Sequence, residues 1–291
     1  MSRAEDDAAR VLTRDAAKTL PPGASHYTAY VGPPDQYDFM GATQFRLLTA
    51  LGLREHHAVL DFGCGSLRAG RLLIPYLLEG RYYGLEPNRW LIDDAIEREL
   101  GQTLIDLKRP TFLHHSDFSA AAFGVSFDYI LAQSIFSHAG RDLVSRCLAD
   151  FRSCLKTSGL ILATFVEPQL LGRTEDSGES GWVYPDCVGY RPETVQAVIE
   201  DAGLIGRALP WFHPRQTWFA MAHSAAELPA VADDVHLSGV VLRSPELASP
   251  PTPTADSPVS QSRSSARAPN VSRASWLVEV WKTLRSRKNA G

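Results

Sequence analysis

The run Val59-Leu60-Asp61-Phe62-Gly63-Cys64-Gly65-Ser66 joins a short apolar stretch to a helical pattern. Glycines at alternate positions, Gly63 and Gly65, let the backbone turn sharply and approach a ligand where a side chain would collide. The helix that follows directs its free N–H groups at the same point. Asp61 at the strand end sits badly beside a pyrophosphate and well beside a cationic ligand. Glu86 closes the next apolar run, 21 residues after Gly65. A carboxylate there can accept both hydroxyls of a ribose through charge-assisted hydrogen bonds. Asp117 follows the third run, in His114-His115-Ser116-Asp117-Phe118. It is placed to accept from an adenine amino group while Phe118 packs on the ring. Each feature alone is weak, since a lone GxG is common. Three acids at successive strand ends make a strong combination, and it describes a site for a positively charged nucleoside. The dinucleotide pattern GxGxxG fails, because Gly63-Cys64-Gly65-Ser66-Leu67-Arg68 ends in arginine.

A second group of residues suits a reacting end. His138 lies in Ser134-Ile135-Phe136-Ser137-His138-Ala139-Gly140, after the fourth apolar run. A histidine titrates near neutrality and can take the proton of an oxygen nucleophile. Capping the next helix, or packing on a cofactor, is the alternative reading. Tyr184, with Trp182 and Asp186, sits in the long segment 167–190, and loops of that length are usually functional or mobile. His213 and Arg215, in His213-Pro214-Arg215-Gln216, offer a hairpin tip with a cation for an anionic acceptor. Simple packing of the tryptophans and solvation of Arg215 are the bland counterparts. Tyr37-Asp38-Phe39 and Gln44 form a candidate lid.

The elements that must hold these residues alternate. Strands are expected at Ala58 to Phe62, Arg81 to Leu85, Thr111 to His115, Phe127 to Ala132 and Leu160 to Val166. Helical spacing occupies Arg68 to Leu78, Arg89 to Leu100 and Asp142 to Leu155 between them. Such alternation predicts an α/β doubly wound sheet, mostly parallel, with helices on both faces. Pro192 suits a helix start, with Val195, Val198, Ile199 and Ala202 on one face before Gly203. Leu204 to Leu209 and Thr217 to Ala222 then read as strands whose short connection requires them to be antiparallel. The expected fold is Rossmann-like: five parallel strands plus a terminal antiparallel hairpin strand.

Over roughly Gly41 to Ala222 the sequence resembles the class I S-adenosylmethionine-dependent methyltransferases. The resemblance rests on LDFGCG, LEPN, SD after the third strand, FDYILAQSIFSH and LKTSG. It implies S-adenosyl-L-methionine as cofactor, held at its methionine end by Asp61, Gly63 and Gly65 with Gln133 nearby. It further implies ribose at Glu86 and adenine at Asp117. One departure is Leu67, which stands where the family's GxGxG has its third glycine; Arg68 beside it can reach a carboxylate. The resemblance implies methyl transfer without naming a substrate; the expected acceptor is a small molecule, sugar or lipid-linked intermediate, methylated at oxygen with His138 as candidate base. A non-catalytic regulatory protein binding the same cofactor is the alternative.

Composition bounds the rest. The 291 residues carry a formal net charge of -4 and include no basic stripe in the domain, so no nucleic acid partner is expected. The NPPY-like tetrapeptide and the Pro-Cys pair of nucleic-acid methyltransferases are absent. Cys64, Cys147, Cys154 and Cys187 show no CxxC pairing or zinc spacing, which fits free thiols in a cytoplasmic setting and no metal site. The chain divides into an N-terminal helix and lid segment (1–40), a cofactor-binding domain (41–223), a disordered linker (224–275) and a basic amphipathic helix (276–291). Ser, Pro, Ala and Thr dominate Ser244 to Ser275, too little apolar surface to offset ordering entropy. In the last segment Trp276, Leu277, Val280, Trp281 and Leu284 share a face among Lys and Arg. That face suits weak contact with an anionic membrane surface or, more plainly, docking on its own domain or a partner chain.

Overall fold

The computed structural model describes residues 8–238. The expected helix 276–291 and residues 239–275 of the expected linker lie outside them.

Seven strands form one sheet: β1 (Val59–Phe62), β2 (Tyr82–Leu85), β3 (Thr111–Leu113), β4 (Phe127–Ala132), β5 (Leu155–Phe165), β6 (Ile205–Leu209) and β7 (Thr217–Ala222). Their order is β3-β2-β1-β4-β5-β7-β6. The first five are mutually parallel, while β7 runs antiparallel to both β5 and β6. Two antiparallel steps restore direction, so β6 points the same way as the first five. The sheet therefore has six co-directional strands with one reversed strand wedged between β5 and β6, a refinement of the arrangement expected from sequence. The cause is in the connections. A helix between β5 and β6 permits a parallel crossover, whereas the helix-free link 210–216 forces β7 to reverse. β5 also begins five residues earlier than expected, at Leu155, directly where the preceding helix ends.

Six longer helices are used below: α1 (Tyr37–Ala50), α2 (Gly70–Tyr76), α3 (Arg89–Ala95, continued as a π-turn over Ile96–Leu100), α4 (Gln102–Lys108), α5 (Arg141–Cys154) and α6 (Pro192–Asp201). Alternation along the strands sorts the core into two layers. Leu60, Ile130, Ile161 and Met221 face Val144, Leu148 and Phe151 of α5 and Val195 and Ile199 of α6. Val59, Leu131, Leu162 and Trp218 face Leu47 and Leu48 of α1 and Leu73 and Ile74 of α2. Each such side chain contributes about 1.5–3 kcal/mol when fully buried, so both faces of the sheet are firmly clamped.

The segment before α1 is tied across the helices by polar links. Arg10 forks onto Asp94 at 2.7 and 3.1 Å. Arg14 pairs with Asp38 at 2.6 Å and Glu99 at 3.1 Å, and the Tyr27 hydroxyl donates to Glu99 at 2.6 Å. Residues 224–238, expected to open the linker, instead pack on the domain. Arg207 of β6 bonds the Pro229 carbonyl at 2.9 Å and Asp234 at 2.6 Å, and Leu237 is buried in the α1/α2 layer.

Candidate active site

A cavity of about 1030 Å³ opens at the carboxyl ends of β1, β2, β4 and β5. That is the edge where β1 has β2 on one side and β4 on the other, the crevice in which open α/β sheets hold ligands. Its volume lies at the top of the ~300–1,000 Å³ range of small-molecule sites. Asp61, Gly63, Gly65, Arg68, Glu86, Phe118, Gln133, His138, Tyr184 and Arg215 all line it.

The glycine turn explains its own sequence. Gly63 and Gly65 hold φ of 72° and 53°, and Leu67 continues the alternation at 54°. Leu67 thus adopts the conformation that a third glycine would take freely. Its side chain is fully buried in the α1/α2 layer, and that burial outweighs a left-handed penalty of roughly 1–2 kcal/mol. The substitution therefore leaves the ligand's approach open. A Cβ on Gly65 would stand 2.6 Å from Val31 Cγ1, in the segment that crosses the turn. Gly65→Ala is accordingly expected to cost about 1–2 kcal/mol from backbone strain alone and to push that segment away. Urea unfolding and faster proteolytic cleavage between Pro21 and Pro33 would register both effects; an unaltered cleavage pattern would contradict the second.

Two acids sit in the cavity wall with no ion pair among the described residues. Asp61 is 4% exposed and accepts from the Tyr82 hydroxyl at 2.8 Å. Burial lifts its pKa to about 6. Glu86 receives Asn88 N–H and Asn88 Nδ2 on Oε1, both at 2.8 Å, and Gly65 N–H on Oε2 at 3.2 Å. Burial pushes its pKa up against those bonds, and Oε2 keeps a free lone pair.

The cations are equally unusual. Arg68 donates Nη1 to the Val31 carbonyl at 2.9 Å while its buried Nε has no partner. Burial brings its pKa down to about 10. Arg215 donates Nη1 to Gln36 Oε1 at 3.0 Å, and burial lowers its pKa too. Neither guanidinium has a carboxylate within salt-bridge reach among the described residues. Buried Oε1 atoms of Gln44 and Gln216 likewise lack donors.

His138 Nδ1 lies 2.7 Å from the Asp186 carbonyl. Only a protonated nitrogen can make that contact, so Nδ1 carries the hydrogen and Nε2 is left as the lone-pair nitrogen. Burial lowers the ring's pKa, opposed by the Asp186 carbonyl. Tyr184 and Trp182 stand around the ring with centroids at 5.1 and 5.7 Å.

Two expected site residues are elsewhere. Asp117 does not line the cavity. Its exposed carboxylate caps Ser119 N–H at 3.0 Å and pairs with His115 Nδ1. Phe118 holds φ of 61°, which reverses the chain so that His115, Ser116 and Phe118 face inward. His213 is buried behind Gln133 and is also absent from the lining. Its Nδ1 accepts Arg215 N–H at 3.1 Å, so the neutral ring's proton is on Nε2, 3.3 Å from the Gln133 amide. Burial and Arg215 hold it neutral. A ring N–H there calls for an acceptor, so hydrogen bonding assigns the Gln133 amide turned over, with its oxygen rather than Nε2 toward His213. The lid differs as well. Tyr37-Asp38-Phe39 open α1, with Tyr37 donating to the Ser66 carbonyl at 2.7 Å, and Gln44 belongs to the wall. The cover is the strap Pro21–Ala24 and Tyr30–Pro33, which carries no periodic signal.

Residues 60–161 match the family model described as a methyltransferase domain. The fold is shared with the CcbJ methyltransferase from Streptomyces caelestis, at 18% identity, 66% coverage of this chain, 97% of that one and a TM-score of 0.50. It is shared too with a S-adenosylmethionine-dependent methyltransferase from Clostridium acetobutylicum ATCC 824, at 12% identity, 64% and 92% coverage and a TM-score of 0.50. The described residues thus share the fold of these methyltransferases. No helix among the described residues is long and apolar enough to cross a membrane.

The donor set fits the cofactor that this class uses. A methionine end needs one cation for its carboxylate and acceptors for its ammonium, and Arg68, Asp61 and Gln44 line the cavity with those functions. Glu86 Oε2 retains capacity for a ribose hydroxyl, and Phe118, Leu91 and Pro87 give an apolar slot for the base.

Proposed function

We propose that this cavity binds S-adenosylmethionine and that the protein passes its methyl group to an oxygen of a small acceptor. The supporting observation is one of charge. Asp61, Glu86 and Arg68 are buried and ionisable, lack ion-pair partners among the described residues, and face a single cavity. Leaving such groups unpaired costs stability unless a complementary ligand joins them.

The bound cofactor supplies a methyl group on a sulfonium, whose carbon–sulfur bonding pair departs with the neutral thioether. The protein must align, desolvate and remove one proton. Arg68, Asp61 and Gln44 fix the amino-acid end, and Glu86 with Asn88 fixes the sugar. The strap at Val31 excludes water from the glycine turn. His138 Nε2 takes the acceptor's O–H proton as the oxygen pair forms the bond to carbon, and Asp186 keeps the ring turned for this. The relatives' fold carries many acceptors, so sugar and lipid-linked molecules stand beside other small ones.

Calorimetry with S-adenosylmethionine and S-adenosylhomocysteine tests the binding claim directly. Folded protein that binds neither would overturn it. Labelled-methyl transfer to a panel of hydroxyl acceptors separates an enzyme from a regulator that binds without turnover.

A further inference from the structure

Two half-buried guanidiniums without carboxylate partners among the described residues face a cavity whose proposed cofactor brings one carboxylate. Arg68 feels the charges of both Arg215 and Asp61, and its place three residues past Gly65, directly after the glycine turn, assigns it to the amino-acid end. That leaves Arg215. It sits in the link between β6 and β7, held by Gln36 Oε1 at 3.0 Å and by its own N–H on His213. Gln216, the next residue, donates Nε2 to Ser134 Oγ at 2.9 Å, at the head of the loop that carries His138, and both Arg215 and His138 line the cavity. Arg215 and His138 therefore flank one end of the cavity. Aromatic rings wall that end: Tyr184 and Trp182 stack at 6.4 Å, and Tyr30 stands 6.1 Å from Tyr184. Trp182 and Tyr184 remain 44% and 38% exposed at the pocket mouth, with Phe118 5.3 Å from Trp182 and His138 5.1 Å from Tyr184.

We infer that the acceptor is a small aromatic carboxylic acid, its carboxylate on Arg215, its ring against Tyr184 and Trp182, and its hydroxyl at His138. A guanidinium is the side chain whose planar fork matches a carboxylate with two parallel bonds. Offset or edge-on rings hold an aromatic body in place without reading its substituents. The inference rests on the methyl-transfer reading, because that reading assigns Arg68 to the cofactor and frees Arg215.

The test measures benzoate, benzamide and benzyl alcohol binding to the full chain by calorimetry, with and without saturating S-adenosylhomocysteine. Benzoate is expected to bind about tenfold or more tighter than benzamide, a gap typical of one charge-assisted pair. Arg215→Met abolishes that gap while S-adenosylhomocysteine affinity moves less than about threefold. Arg215→Gln carries the same comparison should the methionine variant fail to fold. Equal binding of benzoate and benzamide overturns the inference. So does a loss of S-adenosylhomocysteine affinity as large as the loss for benzoate, which would put Arg215 on the cofactor. If benzoate selectivity depends on Arg215 but S-adenosylhomocysteine does not bind, the anion site stands and the methyl-transfer reading falls.

Discussion

Asp61→Asn is expected to make the ligand-free protein more stable and, in the same step, to weaken S-adenosylmethionine binding. Burial raises the Asp61 pKa from 3.8 to about 6, so holding the charge at neutral pH opposes folding by on the order of 3 kcal/mol. Asparagine keeps an oxygen to accept the Tyr82 hydroxyl at 2.8 Å without that penalty. The folded state binds the Asp61 proton more tightly than the unfolded chain. The stability deficit is therefore complete above about pH 6 and fades as pH falls toward 3.8. Urea unfolding at pH 7 should show the variant ahead by about 1–3 kcal/mol, and the two proteins should converge near pH 4. A cationic ligand reverses the balance, since it supplies the counter-charge that the fold withholds. Calorimetry should show a loss of at least about tenfold in affinity, and wild-type affinity should itself weaken below pH 6. A variant that is less stable at pH 7, or that binds as tightly as wild type, would remove the electrostatic account of this site.

His138→Gln should lower kcat by roughly 10²–10⁴ while leaving S-adenosylhomocysteine affinity within a few-fold. Glutamine can still donate to the Asp186 carbonyl, which isolates the lost lone pair from the lost contact. Burial depresses the ring's pKa below 6.5, so the base is unprotonated at neutral pH. Activity should fall only on the acid side, with its limb below 6.5, and the variant's residual rate should lose that limb. Stability has the same sign. An unfolded histidine takes up its proton first, so this group's contribution diminishes as pH drops below 6.5. Turnover that survives unchanged would end the base role without touching the fold or the cofactor site.

Much of this was legible because it depends on local patterning. Apolar runs of strand length between helical spacings place β1 to β5, and the helix-free 210–216 link requires an antiparallel step. Position along the sheet is another matter. Nothing in residues 204–222 says that β7 inserts next to β5, because that choice is made by packing of Trp218 and Ala220 against the α1/α2 layer. Most of the wall follows the same rule, since side chains near strand ends point into the crevice by geometry. Asp117 escapes it through the left-handed turn at Phe118, a backbone angle that residue type does not announce. His213 escapes it because a histidine's burial depends on the whole hairpin. The strap at Pro21–Pro33 was unreadable for a plainer reason: it is held by contacts distant in sequence, such as Tyr27 on Glu99, 72 residues away, and Val31 on Arg68, 37 away, rather than by any repeat. Leu67 shows the opposite case, where a departure from a glycine pattern leaves the conformation intact because a buried side chain compensates for it.

The strap also sets the tempo of the protein. Val31 touches the glycine turn and grips Arg68, so under the proposed methyl transfer a spent nucleoside leaves only when that latch opens. The segment that leads into the strap is itself held by partly solvated arginine–carboxylate clasps, Arg10 to Asp94 and Arg14 to Asp38. Added electrolyte loosens clasps of that sort. Throughput under substrate saturation then becomes a matter of how often the gate unbuttons, and ionic strength is its throttle.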